Sequence, residues 1–256
     1  IVTIIVNDRN VTVSDNGPGM LPDVATAELV DIGGSKKEEG SSGGFGIAKV
    51  AIFANSDRIQ VTTVAVDHAT KGAIETVLTG SGADWLDQSK GFHVETRAVP
   101  SGTKTGTTIS VDIASEAAMS PYAVKTWLEN FIAVHRLPMK IDATVDGVKM
   151  RGAAWEVTTA GPLKKLTELD FPGGTMTILA SKHAGERASV GVKILNNGLP
   201  QFTADIYLMR SLPMPKLVVA DVHATAGPEE TDYPFSPDRE RLREKALNAL
   251  HNYITS

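Results

Sequence analysis

The sequence predicts an α+β protein of two domains, and three features predict it. Short runs that are β-branched or alternate in polarity recur through the first half of the chain, at residues 1–6, 11–14, 59–66, 73–78, 92–99 and 107–113, with turn residues between them. An amphipathic helix headed by Pro121 then runs to about His135, and Arg136-Leu137-Pro138 ends it. From Met139 the strand pattern restarts, and the chain closes in a helix over residues 237–254. The boundary is therefore placed after Leu137, giving domains at 1–137 and 138–256.

Taken in order, residues 1–6 and 11–14 are β-branched runs separated by Asn7-Asp8-Arg9-Asn10, the signature of a hairpin. Residues 45–55 form an apolar stretch that reads as a buried helix. Strands at 59–66, 73–78, 92–99 and 107–113 follow, and Trp85, in Gly-Ala-Asp-Trp-Leu-Asp, is expected to pack at a sheet edge. In the second domain, residues 140–145 and 148–150 flank a turn at Asp146-Gly147 and read as a hairpin. Strands at 174–180, 189–195 and 217–222 and the last helix suit an antiparallel sheet with helices on one side.

Two glycine-rich segments carry chemistry. Residues 14–20 read Ser-Asp-Asn-Gly-Pro-Gly-Met, so Asp15 leaves the end of a strand directly before Asn16 and a Gly-x-Gly turn. An ionised carboxylate accepts hydrogen bonds only, and the exocyclic amine of adenine offers one. Gly17 and Gly19 remove side chains where a planar ring must approach the backbone. The same residues also suit an ordinary Asx-turn. Further on, Gly40, Gly43, Gly44 and Gly46 lie at or before the first turn of the helix that opens at Phe45. Unpaired amides at a helix N-terminus bind anions, and glycines let phosphate oxygens reach them. The segment lacks the Gly-Lys-Ser/Thr ending of a P-loop and does not follow a strand as a Rossmann turn does. Residues 32–44, including Gly34, Ser35, Lys36 and Lys37, are polar and suit a loop that closes over phosphates; a Gly/Ser linker has the same composition.

On these residues the chain resembles the GHKL ATPases, which include gyrase, the Hsp90 chaperones, histidine kinases and MutL. Asp15-x-Gly17-x-Gly19 matches the first glycine motif of that family, Gly40 to Gly46 the second, and Gly106-Thr107-Thr108 the late strand whose threonine helps to hold the base-contacting acid. The resemblance implies an α/β sandwich, a mixed sheet with helices on one face, and cofactors ATP and Mg²⁺. It implies that Asp15 reads adenine and that Gly17, Gly19 and Met20 line the base. The amides of Gly43, Gly44, Phe45, Gly46 and Ile47 would take phosphates, Lys36 or Lys37 would serve as lid cations, and Thr107 or Thr108 would support Asp15. The layout is closest to MutL, gyrase and topoisomerase VI, where a transducer-like α+β domain follows and sends a Lys or Arg to the γ-phosphate. Lys182, Arg239 and Arg241 are the candidates for that cation, and each also reads as a solvated surface charge.

The family's catalytic Glu and Mg²⁺-holding Asn sit on a helix before the first strand. This chain opens at Ile1, already in that strand, so both are expected upstream of it. Glu244 and Asn248 have the family's Glu-x-x-x-Asn spacing, but a plain surface helix with Leu242, Ala246, Ala249, Leu250 and Tyr253 inward explains them as well. The expected function is an ATP-driven conformational switch, with lid closure, domain coupling, γ-phosphate hydrolysis and an ATP-dependent homodimer or larger complex. A non-hydrolysing nucleotide sensor is the alternative.

Composition bounds the rest. The 256 residues are 42% apolar, enough for a proper core, and contain no cysteine, which excludes disulfides and thiolate metal sites. The net charge of −5 disfavours a broad electrostatic grip on nucleic acid, leaving a local groove or another region of a longer chain. No apolar run is long enough to span a membrane and no signal peptide opens the chain, so an intracellular, cytoplasmic location is expected. The six histidines show no metal-ligand spacing and are expected at the surface or satisfied.

Overall fold

The computed structural model describes residues 1–30, 52–87, 92–118, 120–150, 163–172, 174–181, 191–196, 198–204, 217–224 and 237–255. The chain divides into two compact units, the first holding most of residues 1–152 and the second most of the remainder.

The first unit is built on an eight-stranded mixed sheet. β1 (Val2–Asn7) and β2 (Asn10–Asp15) form the expected hairpin, with Asp8 in the left-handed region at φ 49°. β3 (Ser56–Val66), β4 (Ala73–Gly80) and β5 (His93–Val99) form an antiparallel meander, and β6 (Gly106–Ile113) returns to lie between β3 and β2. At the β3–β4 turn Asp67 accepts the Ala69 N–H and the Thr70 hydroxyl, which hold its carboxyl below the usual range.

Alternation along the strands decides which face is buried. Register places Ile59, Val61 and Thr63 of β3 beside Val111, Ile109 and Thr107 of β6 and beside Gly80, Leu78 and Thr76 of β4. That face packs against Ala25 of α1 (Pro22–Val30), Trp85 of α2 (Gly82–Leu86) and Phe53. The opposite face is polar, where the Asn10 amide bonds Asp112 at 2.8 Å and the Thr12 hydroxyl meets Ser110 at 3.1 Å. Trp85 is not an edge residue. It is 3% exposed, with the Phe53 and Phe92 rings each 4.0 Å from its own, because a capping box between Ser81 and Asp84 starts α2 directly above the sheet. Gly82 permits that approach, since a Cβ there would lie 2.0 Å from the Phe53 carbonyl oxygen.

The hairpin expected to open the second domain belongs to the first sheet. β7 (Ile141–Val145) pairs in parallel with β1, from Val2↔Ile141 to Val6↔Val145, and β8 (Val148–Lys149) pairs with β7. The turn between them is Asp146-Gly147 at φ 48° and 74°, the double left-handed geometry that Asp-Gly favours. Ile141, Ala143 and Val145 are all buried, so this hairpin carries core side chains and covers the edge of β1. The helix α3 (Pro121–Val134) precedes it, as the sequence indicates.

The second unit contains a five-stranded sheet, β9 (Leu163–Phe171), β10 (Gly174–Ser181), β11 (Gly191–Asn196), β12 (Leu199–Ala204) and β13 (Leu217–Ala224), in the order β12-β11-β13-β10-β9. The sheet is mixed rather than wholly antiparallel, since β11 and β13 run parallel from Gly191↔Leu217. Met176, Ile178 and Leu179 of β10 are all buried, and a register shift between Ile178 and Leu179 lets adjacent residues both turn inward. The last helix, α4 (Pro237–Thr255), lies against β9 and buries Ala246 and Leu250. His135, in this unit, is fully buried rather than at the surface. Its ring stacks on Phe131, its Nδ1 accepts the Leu137 N–H at 3.3 Å, and its Nε2 has no partner among the described residues. Burial pushes its pKa down.

Candidate functional site

The first glycine motif lies where β2 ends. Asp15 is exposed, and its Oδ1 accepts the Gly17 N–H at 2.7 Å. The Asx-turn is therefore formed, and it fixes the carboxylate while leaving Oδ2 without a partner among the described residues. The Asn16 N–H donates to the Ile1 carbonyl at 3.3 Å. Gly19 adopts φ +70°, and a Cβ there would stand 1.9 Å from the Val64 carbonyl oxygen, so the loop can cross β3 only at a glycine. Gly106, at φ +147°, does the same for β6, where a Cβ would lie 2.2 Å from the Asp15 carbonyl oxygen.

Thr63 ties these pieces together, and no motif singles it out. It is wholly buried, its Oγ1 accepts the Met20 N–H at 2.8 Å, and it lies 3.3 Å from the Gly106 carbonyl and 3.1 Å from the Thr107 hydroxyl. One hydroxyl satisfies all three contacts if it accepts from Met20 and Thr107 and donates to Gly106. The signal in the sequence was a polar residue in the buried register of Ile59, Val61 and Ala65. Met20 is held by the same bond and packs its side chain against the core.

The two candidate threonines separate by strand period. Ser14↔Thr108 and Val13↔Ile109 place Thr107 on the face of Asp15 and Thr108 on the opposite one. The Thr108 hydroxyl accordingly donates to Ser14 at 3.1 Å, away from the Thr63 cluster. On the Asp15 face, Val2 and Ile4 are half-buried and Val13 is 36% exposed, an apolar floor beside the carboxylate. On the polar side of the same strand ends a cleft of about 500 Å³ is lined in part by Ser14, Asn16, Lys104 and Thr105. Asp15 stands at the rim of both surfaces.

Gly34, Ser35, Lys36, Lys37, Gly43, Gly44, Phe45, Gly46 and Ile47 lie outside the described residues, as does Lys182. Arg239 and Arg241 fall at the start of α4. Glu244 and Asn248 are exposed on α4 opposite buried Ala246 and Leu250, while Tyr253, expected inward, is exposed. Among the described residues no group of three or more His, Asp or Glu is placed to hold a metal ion, and no helix is long and apolar enough to cross a membrane.

No protein-family model matches this chain, and no curated protein matches its sequence. Solved structures do match. The crystal structure of the ATPase region of Saccharomyces cerevisiae topoisomerase II is 10% identical with a TM-score of 0.49, over 77% of this chain and 56% of that one. The chain thus spans little more than half of that region's length. The crystal structure of the N-terminal domain of a DNA repair protein is 12% identical with a TM-score of 0.55, over 99% of this chain and 88% of that one. This second likeness shows a shared α+β fold through nearly the whole of both chains.

Proposed function

We propose that the first unit binds adenine nucleotide at the end of β2, as the nucleotide domain of a GHKL-type ATPase. The observation that carries the reading is Asp15. One carboxylate oxygen is pinned by the Gly17 amide and the other has no partner among the described residues, beside half-covered Val2, Ile4 and Val13. A flat heteroaromatic ring with an exocyclic amine fits that combination, the ring on the apolar floor and the amine on the free oxygen. This favours the apolar side over the cleft at Ser14 and Lys104. Gly19, Gly106 and the Thr63–Thr107 pair hold the Asp15 backbone and the following loop in place.

In this reading the amides of Gly43 to Ile47 take the phosphates and residues 32–44 close over them. Mg²⁺, when bound, neutralises phosphate charge, and the family places its protein ligand and the general base on the helix preceding the first strand. ATP binding then couples the nucleotide domain to the transducer-like second unit and brings two copies together, and hydrolysis reverses both. Lys182, Arg239 or Arg241 would supply the γ-phosphate cation.

Calorimetric titration with ADP and a non-hydrolysable ATP analogue, with and without Mg²⁺, tests the pocket. Asp15→Asn keeps an acceptor for the Gly17 amide but sets an NH₂ group where the amine must donate. Saturable heat in the wild type, with affinity falling at least about tenfold in Asp15→Asn, is expected. Equal nucleotide affinity in the two proteins refutes the assignment of Asp15.

A further inference from the structure

Strand β5 is the outermost strand of the first sheet, bonded to β4 along one edge, and no described residue pairs with its other edge. His93 through Ala98 are all exposed, so side chains on both faces are open, and the outer edge is unpaired among the described residues. Besides charged side chains, which β5 carries at Glu95 and Arg97, open edges are usually blunted by a bulge, a proline or a short length. β5 has none of these, since its seven residues run in unbroken register with β4 from Ala73↔Val99 to Thr79↔His93.

Its charges complement one another about the strand's midpoint, Thr96. Pair two copies of β5 antiparallel with Thr96 opposite Thr96, and all of His93–Val99 is used. Glu95 of each copy then faces Arg97 of the other, and Val94 faces Ala98 of the other. Arg97 already meets Glu75 of β4 at 2.6 Å while its side chain stays 73% exposed. In the pair it would lie between two carboxylates, Glu75 of its own chain and Glu95 of the second copy. Slipped registers lose this match. Centring on Glu95 sets Glu95 against itself and His93 against Arg97, and centring on Arg97 sets Arg97 against itself. Opposite charges directly across a ladder favour pairing and like charges oppose it, so the sequence selects one register.

We infer that β5 is a homodimerisation edge, through which a second copy of this chain extends the first sheet antiparallel about Thr96. The contact is small beside a standard interface, so the association is weak, with Kd on the order of 10–100 μM. It involves no nucleotide and stands whether or not the pocket binds one.

The chain has no cysteine, so a single introduced thiol reports the register directly. Residues directly opposed in an antiparallel ladder have Cα atoms about 4.5–5.5 Å apart, within disulfide reach. Thr96→Cys should therefore crosslink to itself on mild oxidation. Val94→Cys and Ala98→Cys should each fail alone, because like positions then lie roughly 13 Å apart, and should crosslink when mixed. In sedimentation equilibrium of the full chain without nucleotide, Arg97→Glu and Glu95→Arg should each weaken self-association at least about tenfold. Mixing those two variants should restore it, because every Glu then faces an Arg; this recovery also shows that both remain folded. A chain that stays monomeric to several hundred micromolar overturns the inference. So does Thr96→Cys crosslinking no faster than Val94→Cys, or a mixture that associates no better than its components.

Discussion

Thr63 and Thr76 face each other across β3 and β4, both fully buried, and they should respond in opposite directions to the same substitution. Valine keeps the shape of threonine and exchanges the hydroxyl for a methyl group. At Thr63 the hydroxyl accepts the Met20 N–H and meets Gly106 and Thr107, so Thr63→Val strands a partly buried donor. An orphaned group of that kind costs about 1–3 kcal/mol, and the added apolar contact returns about 1, leaving a net loss of up to about 2 kcal/mol. At Thr76 the hydroxyl has no partner among the described residues. Thr76→Val removes a desolvated polar atom and should gain about 0.5–1.5 kcal/mol. Urea unfolding followed by circular dichroism at a fixed pH reads both values, provided the slope with denaturant is unchanged. Shifts of the same sign, or shifts within about 0.5 kcal/mol of each other, would refute the hydrogen-bond assignment at Thr63.

Three further outcomes follow from the site and its surroundings. Gly106→Ala sets a Cβ 2.2 Å from the Asp15 carbonyl oxygen and should cost about 2–4 kcal/mol, while Gly102→Ala, with nothing within 4 Å, should cost about 1 for its positive φ alone; equal thermal shifts would sink the close-approach argument. Thr107→Val should weaken ADP binding by roughly 3–10-fold and Thr108→Val by less than about twofold, because the two hydroxyls point to opposite faces; the reverse order in a titration would reassign the supporting residue. His135 is held neutral by burial, so its folded pKa lies below the unfolded value of 6.5, and the unfolded chain binds more protons as the pH falls. Its contribution to stability is complete above about pH 6.5 and is lost as the pH falls towards the folded pKa; His135→Gln should flatten the urea midpoint between pH 7 and pH 5, and an unaltered profile would show that another group controls it.

Periodicity made most of the first unit legible. The strands β1 to β4, β6 and β7 and the helix α3 follow runs that alternate or repeat at helical spacing, because one face of each lies towards the core, and β5 keeps the β-branched pattern though both its faces are exposed. What failed was non-local. β9 carries Leu163, Leu166 and Leu169 at a spacing that suits a helix, and only pairing with β10 makes it a strand. α1 has Val24, Ala25, Ala27, Leu29 and Val30 without an apolar stripe, and over residues 22–27 its one buried side chain is Ala25 in the core. The β7–β8 hairpin was legible as a hairpin, but no local feature tells which sheet it joins. At the site, Asp15 and the glycines stood out because turns demand them. Thr63 did not, since its value comes from loops more than forty residues away on either side.

The order of synthesis differs from the order in space. β1 gains β2 at once, but its other edge waits for Ile141 to Val145. At about 5–20 residues per second, the intervening chain takes about 7–27 seconds to emerge. Through that interval the edge of β1 lacks its β7 partner, a surface that a nascent-chain chaperone could cover. A polypeptide cut after Leu137 would leave β1 without the β7 partner it has in the fold. Completion of the first unit is thus a late event in the life of the chain, set by the arrival of one short hairpin from beyond α3.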